Sequence, residues 1–209
     1  MKNYWETYYK FSKSPIRPSK FSIFCAKYLK SFQGNIYDVG CGNGRDTVFF
    51  NKLKFKCFGI DSCKSIILKN KKKFRNYKKS FINRDFSKLT FLDKTEDSII
   101  YSRFSLHSIN EKKQKTFLNK IKKSNNVKVL MIEARTIYDE LYGKGKKIGK
   151  FEFISSHYRR FLKPTDLKKT ISKSFKIKYY KVDKNFAKYK KENPKVLRLI
   201  AIRKWFLWI

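Results

Sequence analysis

Asp38-Val39-Gly40-Cys41-Gly42-Asn43-Gly44-Arg45-Asp46 places three glycines at alternate positions directly after a short apolar run. Glycines so spaced let a backbone turn sharply and approach a ligand more closely than any Cβ would permit. About twenty residues on, the run Lys56 to Ile60 ends in Asp61. A carboxylate at the end of the next strand can accept hydrogen bonds from both hydroxyls of a ribose; alternatively, Asp61 caps the helix beginning near Ser62. A dinucleotide fingerprint would want Gly or Ala where Arg45 stands, so that spacing is not met. Loop and acid together point to a nucleoside-containing cofactor.

The elements that must position these groups follow from apolar periodicity. Helix is expected over 19–31 with Ser19 as N-cap, over 45–54 with Val48, Phe49 and Leu53 inward, and over 62–76, 111–123 and 164–173. Strands are expected at 36–39, 56–60, 80–83, 98–102, 127–133, 175–182 and 196–203. Alternation of this kind implies an α/β fold, a doubly wound parallel sheet with helices on both faces, closed by an antiparallel pair. Ligands in such sheets bind beyond the carboxyl ends of the strands, where both motifs fall.

These residues carry a resemblance. Asp38-x-Gly-x-Gly-x-Gly with Asp61 resembles the first two motifs of class I S-adenosylmethionine-dependent methyltransferases. Later segments, among them Tyr101 to Ile109, Ile132 to Arg135, Asp139 to Gly145 and His157 to Phe161, resemble bacterial methyltransferases linked to surface-polysaccharide and small-molecule modification. The resemblance spans roughly residues 4–203. It implies a Rossmann-like, seven-stranded, mostly parallel sheet with an antiparallel last strand. That is one domain over 1–209: an N-terminal lid or helix segment at 1–33, a cofactor-binding half at 34–134 and a substrate-side half at 135–209.

The same resemblance implies S-adenosyl-L-methionine as cofactor. Gly40, Gly42 and Gly44 would face its methionine part with Asp38 nearby, Cys41 being a small packing residue within the loop. Asp61 would hold the ribose, Asp85 and Phe86 the adenine, and Ser102 the methionine side. Asp85 also reads as an ordinary turn aspartate. Tyr4, Trp5, Tyr8 and Tyr9 read either as an apolar staple or as a cover over the site.

An acceptor hydroxyl would benefit from a general base, and His107, just past the fourth strand, is the candidate; packing at a helix start is its other reading. Arg103, Arg135, Arg159 and Arg160 stand out where lysine outnumbers arginine 42 to 10, because guanidinium offers fixed bidentate geometry. With Tyr142, His157 and Tyr158 they form a candidate clamp for a phosphate or carboxylate; internal pairing with Glu133, Asp139 or Glu140 is the alternative. The expected activity is methyl transfer to a small-molecule or glycan acceptor, at oxygen and with an anionic or phosphorylated acceptor. RNA or protein methylation and a non-catalytic nucleotide-binding module are the alternatives.

The net charge of +36 fits nucleic-acid binding. It also accompanies 20 Phe and 13 Tyr against only 8 Gly and 4 Pro, the skew of an A+T-rich coding sequence, so nucleic acid is not the favoured partner. The four cysteines form no Cys-x-x-Cys pair and there are two histidines, which argues against a metal site and for reduced thiols. No apolar run approaches a membrane span, and a cytoplasmic location is expected. Gly143 to Gly149 is a candidate lid because its glycines permit movement.

Overall fold

A computed structural model describes residues 2–11, 15–29, 31–189 and 191–206. The strands are β1 (Asn35–Val39), β2 (Lys56–Asp61), β3 (Phe81–Asn83), β4 (Ser98–Arg103), β5 (Val127–Arg135), β6 (Lys146–Gly149), β7 (Glu152–Ile154), β8 (Tyr158–Arg160), β9 (Phe175–Asp183) and β10 (Val196–Arg203). The helices are α1 (Lys2–Phe11), α2 (Lys20–Ala26), α3 (Arg45–Lys52), α4 (Lys64–Lys73), α5 (Glu111–Lys123) and α6 (Pro164–Ile171). Among the described residues, no helix is long and apolar enough to cross a membrane.

Seven strands form one sheet in the order β3-β2-β1-β4-β5-β10-β9. β1 runs parallel to both β2 and β4, and β10 runs antiparallel to β5 and β9, so the last strand is reversed as expected. From β1 the chain winds outward through β2 and β3, then returns to β4 on the other side. That reversal opens a crevice beyond the ends of β1 and β4.

Strand side chains alternate between two cores. Ile99, Tyr101, Val129 and Met131 join Phe21 and Cys25 of α2 and Phe50 of α3 on one face. Ile100, Leu130 and Ile132 join Phe117 and Ile121 of α5 and Leu167 of α6 on the other. Burial on both faces explains why the strands read as continuous apolar runs.

Ser19 caps α2, its hydroxyl accepting from the Ser22 amide at 3.0 Å, and Asn110 caps α5 through the Lys113 amide at 2.9 Å. The helix expected over 19–31 is realised only as α2, which ends at Ala26 with a turn at 27–28; Lys30 lies outside the described residues. Two further details differ from expectation. In α3 Val48 is buried as expected and Phe49 is partly buried, but the fully buried ring is Phe50, while Leu53 follows the helix and is 45% exposed. α4 ends at Lys73, which leaves Phe74 beyond it.

Two further elements pack beside the sheet, one against α4 and one against the 106–108 turn after β4. Residues 2–11 form helix α1, and β6, β7 and β8 form a small antiparallel sheet. The glycine-rich 143–149 segment is partly ordered by that sheet, since Lys146–Gly149 is strand β6.

Candidate active site

The glycine loop is built by backbone hydrogen bonds. The amides of Gly40 and Cys41 both donate to the Ile60 carbonyl, at 2.7 and 3.1 Å, folding the end of β1 over β2. Gly40 has φ +71°, and a Cβ there would lie 2.5 Å from the Ser105 Cβ. Gly44, at φ +73°, precedes the first turn of α3. From α4 the buried Asn70 donates its side-chain amide to the Gly42 carbonyl at 2.7 Å. Asp61 joins loop and second strand: Oδ2 accepts from the Gly42 amide at 3.0 Å and Oδ1 from the Cys63 amide at 2.9 Å. Burial pushes its carboxyl above the usual range, partly offset by these amides.

Above this loop lies a cavity of about 590 Å³, within the range usual for small-molecule sites. Gly40, Asp61, Asp85 and Phe86 line it. The other cofactor candidates stand behind its wall. Asp38 is buried under α3, where Thr47 Oγ1 donates to it at 2.7 Å. Burial pushes its carboxyl up to about 8, with the charge of Asp46 adding to the effect. Cys41 packs beneath Gly59, where a Cβ would meet its sulfur at 3.0 Å. Gly42 faces the Tyr9 hydroxyl, Gly44 packs on Phe81, and Ser102 shares a 2.6 Å hydrogen bond with Ser105, which does line the cavity.

On the far wall, Asp85 Oδ1 accepts from the amide and hydroxyl of Ser87, at 3.0 and 2.7 Å. Its Oδ2 takes the Lys113 ammonium at 2.7 Å. Phe86 lies edge-on to Phe117 at 5.3 Å. Sequence reasoning missed Lys113, Cys63, Asn83, Arg84, Ser108 and Ile109 among the lining residues. Trp5 and Tyr9 of α1 also line the cavity, and α1 is tied down where Glu6 accepts from the Lys64 amide at 3.0 Å.

Beside the cavity stands a cationic cluster organised around Phe104. This lining residue adopts φ +55°, a conformation that bulky side chains rarely take. Its ring lies 4.6 Å from the Arg103 guanidinium, 5.9 Å from that of Arg135 and 5.4 Å from the His107 ring. Arg103 pairs with Glu133 at 3.0 Å, and Arg198 donates to the second oxygen of the same carboxylate at 2.6 Å. Arg135 pairs with Asp139 at 3.1 Å and also with Glu192. Arg159 donates to Ser155 Oγ at 2.9 Å.

His107 is buried and its Nδ1 has no hydrogen-bond partner among the described residues. Burial holds its pKa well below the usual histidine value, reinforced by the charges of Arg135, His157, Arg159 and Arg103. His157 stacks on Tyr4 at 4.5 Å and is held down at about 4 by burial, with Arg159 and Arg135 adding to the effect. Three candidates point elsewhere. Arg160 engages Gln114, Glu152 and Glu111; the Tyr158 hydroxyl donates to the Ile109 carbonyl; Tyr142 packs on Phe153 and Phe161.

Gly40 brings backbone to the cavity where a side chain would collide, Asp61 presents a half-buried carboxylate and Phe86 a flat ring. That combination fits a nucleoside-containing cofactor with an attached amino acid, whose adenosine and methionine parts would span Asp85 to Gly40.

The sequence profile of a family described as "Methyltransferase domain" matches residues 36–126. Among solved structures, a S-adenosylmethionine-dependent methyltransferase from Methanosarcina mazei superposes with a TM-score of 0.71 at 16% identity, covering 86% of this chain and 96% of its own. One from Clostridium acetobutylicum gives 0.67 at 17% identity over 96% and 98%. The glycopeptide N-methyltransferase MtfA, complexed with S-adenosyl-L-methionine, gives 0.63 at 11% identity over 90% and 95%. At these identities the likeness is one of fold. No curated protein sequence matches the chain. With the family match covering both the glycine loop and Asp61, this chain is an enzyme that transfers methyl groups, and its cofactor is S-adenosyl-L-methionine.

Proposed function

We propose that the enzyme methylates an oxygen of a small-molecule or glycan acceptor that carries a negative charge, a phosphorylated sugar being the leading class. The observation that carries this reading is the packing of Arg103, Arg135 and His107 around the Phe104 ring, which also lines the cavity, with Arg159 close enough for its charge to act on His107 and Arg135, and with His107 Nδ1 without a hydrogen-bond partner among the described residues. Guanidinium groups recognise carboxylate and phosphate by paired hydrogen bonds. Asp61, Gly40, Asp85 and Phe86 are the residues assigned to hold the cofactor, supported by Asp38, Gly42, Gly44 and Ser102 from behind.

When bound, S-adenosylmethionine supplies an already activated methyl on sulfur. What remains for this chain is to align the acceptor oxygen and exclude water. Trp5 and Tyr9 of α1 would provide the exclusion. His107, kept neutral by its surroundings, would accept the hydroxyl proton as the oxygen becomes nucleophilic. The four cysteines are free and buried, which fits a reducing compartment such as the cytoplasm.

Incubation with methyl-labelled cofactor and a panel of sugar phosphates, hydroxy acids and their neutral counterparts tests this. The expected result is label transfer to anionic members only. The charge of +36 favours a second reading, an RNA acceptor; label entering RNA at physiological salt, and not the panel, would replace the first reading with it.

A further inference from the structure

The cationic cluster contains one carboxylate of a different kind from the rest. Glu133 is fully buried between Arg103 and Arg198. Asp139 is buried too and serves the backbone as well, accepting from the Leu141 and Lys195 amides. Both are fixed parts of the frame. The Glu192 side chain, by contrast, is 60% exposed and reaches inward to an Arg135 side chain that is 9% exposed. Its charge also acts on Arg159. Glu192 is held in place by two backbone hydrogen bonds exchanged with Tyr189, with Asn185 and Asn193 paired nearby.

We propose that Arg135 and Arg159 form the oxyanion subsite for the acceptor's carboxylate or phosphate, and that Glu192 occupies it until the acceptor displaces it. This rests on the methyltransferase reading above and adds the displaceable carboxylate that holds its anion subsite. The charges are consistent with it. Arg103, Arg135, Arg159 and Arg198 face Glu133, Asp139 and Glu192, so withdrawal of Glu192 leaves two positive charges uncompensated. Arg159 is the member of the set whose hydrogen bond goes to a hydroxyl rather than a carboxylate. The buried His107 Nδ1, without a hydrogen-bond partner among the described residues, lies in the same cluster. Glu192 then also acts as a filter: an uncharged acceptor cannot replace a carboxylate on Arg135, whereas an anion can.

The test uses the full chain saturated with S-adenosylhomocysteine, with inorganic phosphate and acetate as probes. The chain has two histidines, so imidazole NMR signals report on His107 and His157 directly. Phosphate or acetate is expected to shift the His107 signals saturably and raise its titration midpoint, and the tighter probe identifies the preferred oxyanion. Glu192→Gln should tighten probe binding at least threefold, and Arg159→Gln should weaken it at least tenfold. Calorimetric affinity for S-adenosylhomocysteine should stay within twofold in both variants, which also verifies that they fold.

A Glu192→Gln protein that binds the probes no better than wild type would overturn the displacement proposal. Equal probe binding by wild type and Arg159→Gln would overturn the subsite. If S-adenosylhomocysteine binds and neither probe moves His107, the subsite is wrong while the methyltransferase reading stands. If the probes bind as expected to folded protein that does not bind S-adenosylhomocysteine, the subsite stands and the methyltransferase reading fails.

Discussion

The Asp61 carboxylate accepts the Gly42 amide at 3.0 Å while its second oxygen accepts the Cys63 amide at 2.9 Å. One side chain thereby fixes the distance between the glycine loop after β1 and Cys63, the residue that precedes α4, and it does so on the cavity wall. Asp61 does not cap α4, whose N-cap is Cys63, but turns the chain into it, and each of its oxygens keeps a second lone pair for a ribose hydroxyl.

Asp61→Ala is accordingly expected to weaken S-adenosylmethionine binding at least tenfold, or about 1.4 kcal/mol, in calorimetric titration. Asp61→Asn keeps the shape but can accept through only one atom, so it should fall between the two. Unchanged affinity in both variants would remove Asp61 from the cofactor site.

Gly40→Ala meets two obstacles, a left-handed φ of +71° and the Ser105 Cβ at 2.5 Å. The conformation alone costs about 1–2 kcal/mol. Cofactor affinity should fall at least tenfold, and Ser105→Gly in the same chain should recover part of it by removing the collision. Should the double variant bind no better than Gly40→Ala, the collision is not the cause.

Much of this was legible in the sequence because it is local. Apolar runs buried on both faces mark β1, β4, β5 and β10, and the glycine loop follows directly from the first of them. What escaped notice is fixed by pairs distant in the chain. Glu6 caps α4 across 58 residues, Lys113 meets Asp85 across 28, and Arg135 meets Glu192 across 57. No periodicity announces such pairs. The small β6–β8 sheet escaped because its strands are 4, 3 and 3 residues long, too short for alternation to register.

Stability should depend on pH through Asp38, whose carboxyl is raised to about 8 by burial. The folded chain holds that proton more tightly than the unfolded chain, where it leaves near 4. Stability from this group is therefore full below about pH 4 and is lost as pH rises towards about 8, at no more than about 1.4 kcal/mol per unit. Asp61 and Glu133 are raised in the same sense. Asp38→Asn should flatten, without abolishing, the decline in urea-unfolding free energy between pH 6 and 8. An identical slope in the variant would contradict the assignment.

Asp46 ties three elements together in the core. It accepts from the amide and hydroxyl of Ser19, the hydroxyl of Ser22 and the hydroxyl of Tyr101, at 2.7 to 3.0 Å. Tyr101→Phe removes one hydrogen bond to a charged group and should cost about 1.5–3 kcal/mol. Asp46→Ala strands several buried donors and should cost more, with both read from urea midpoints at constant slope. A Tyr101→Phe midpoint equal to wild type would mean that water or Ser19 fully replaces the phenol.

Trp5 gives an optical test of the role of α1. It lines the cavity beside Tyr9, while α1 is anchored to α4 through Glu6 and to the β7–β8 turn through the contacts of Tyr4 and Trp5 with His157. A ligand entering the cavity must change the surroundings of that indole. The chain's other tryptophans are Trp205, 92% exposed, and Trp208. S-adenosylhomocysteine should therefore change tryptophan emission in the wild type, and Trp5→Phe should abolish most of that change while retaining binding by calorimetry. Full retention of the emission change in Trp5→Phe would show that α1 does not close over the cofactor, and water exclusion would have to come from the acceptor itself.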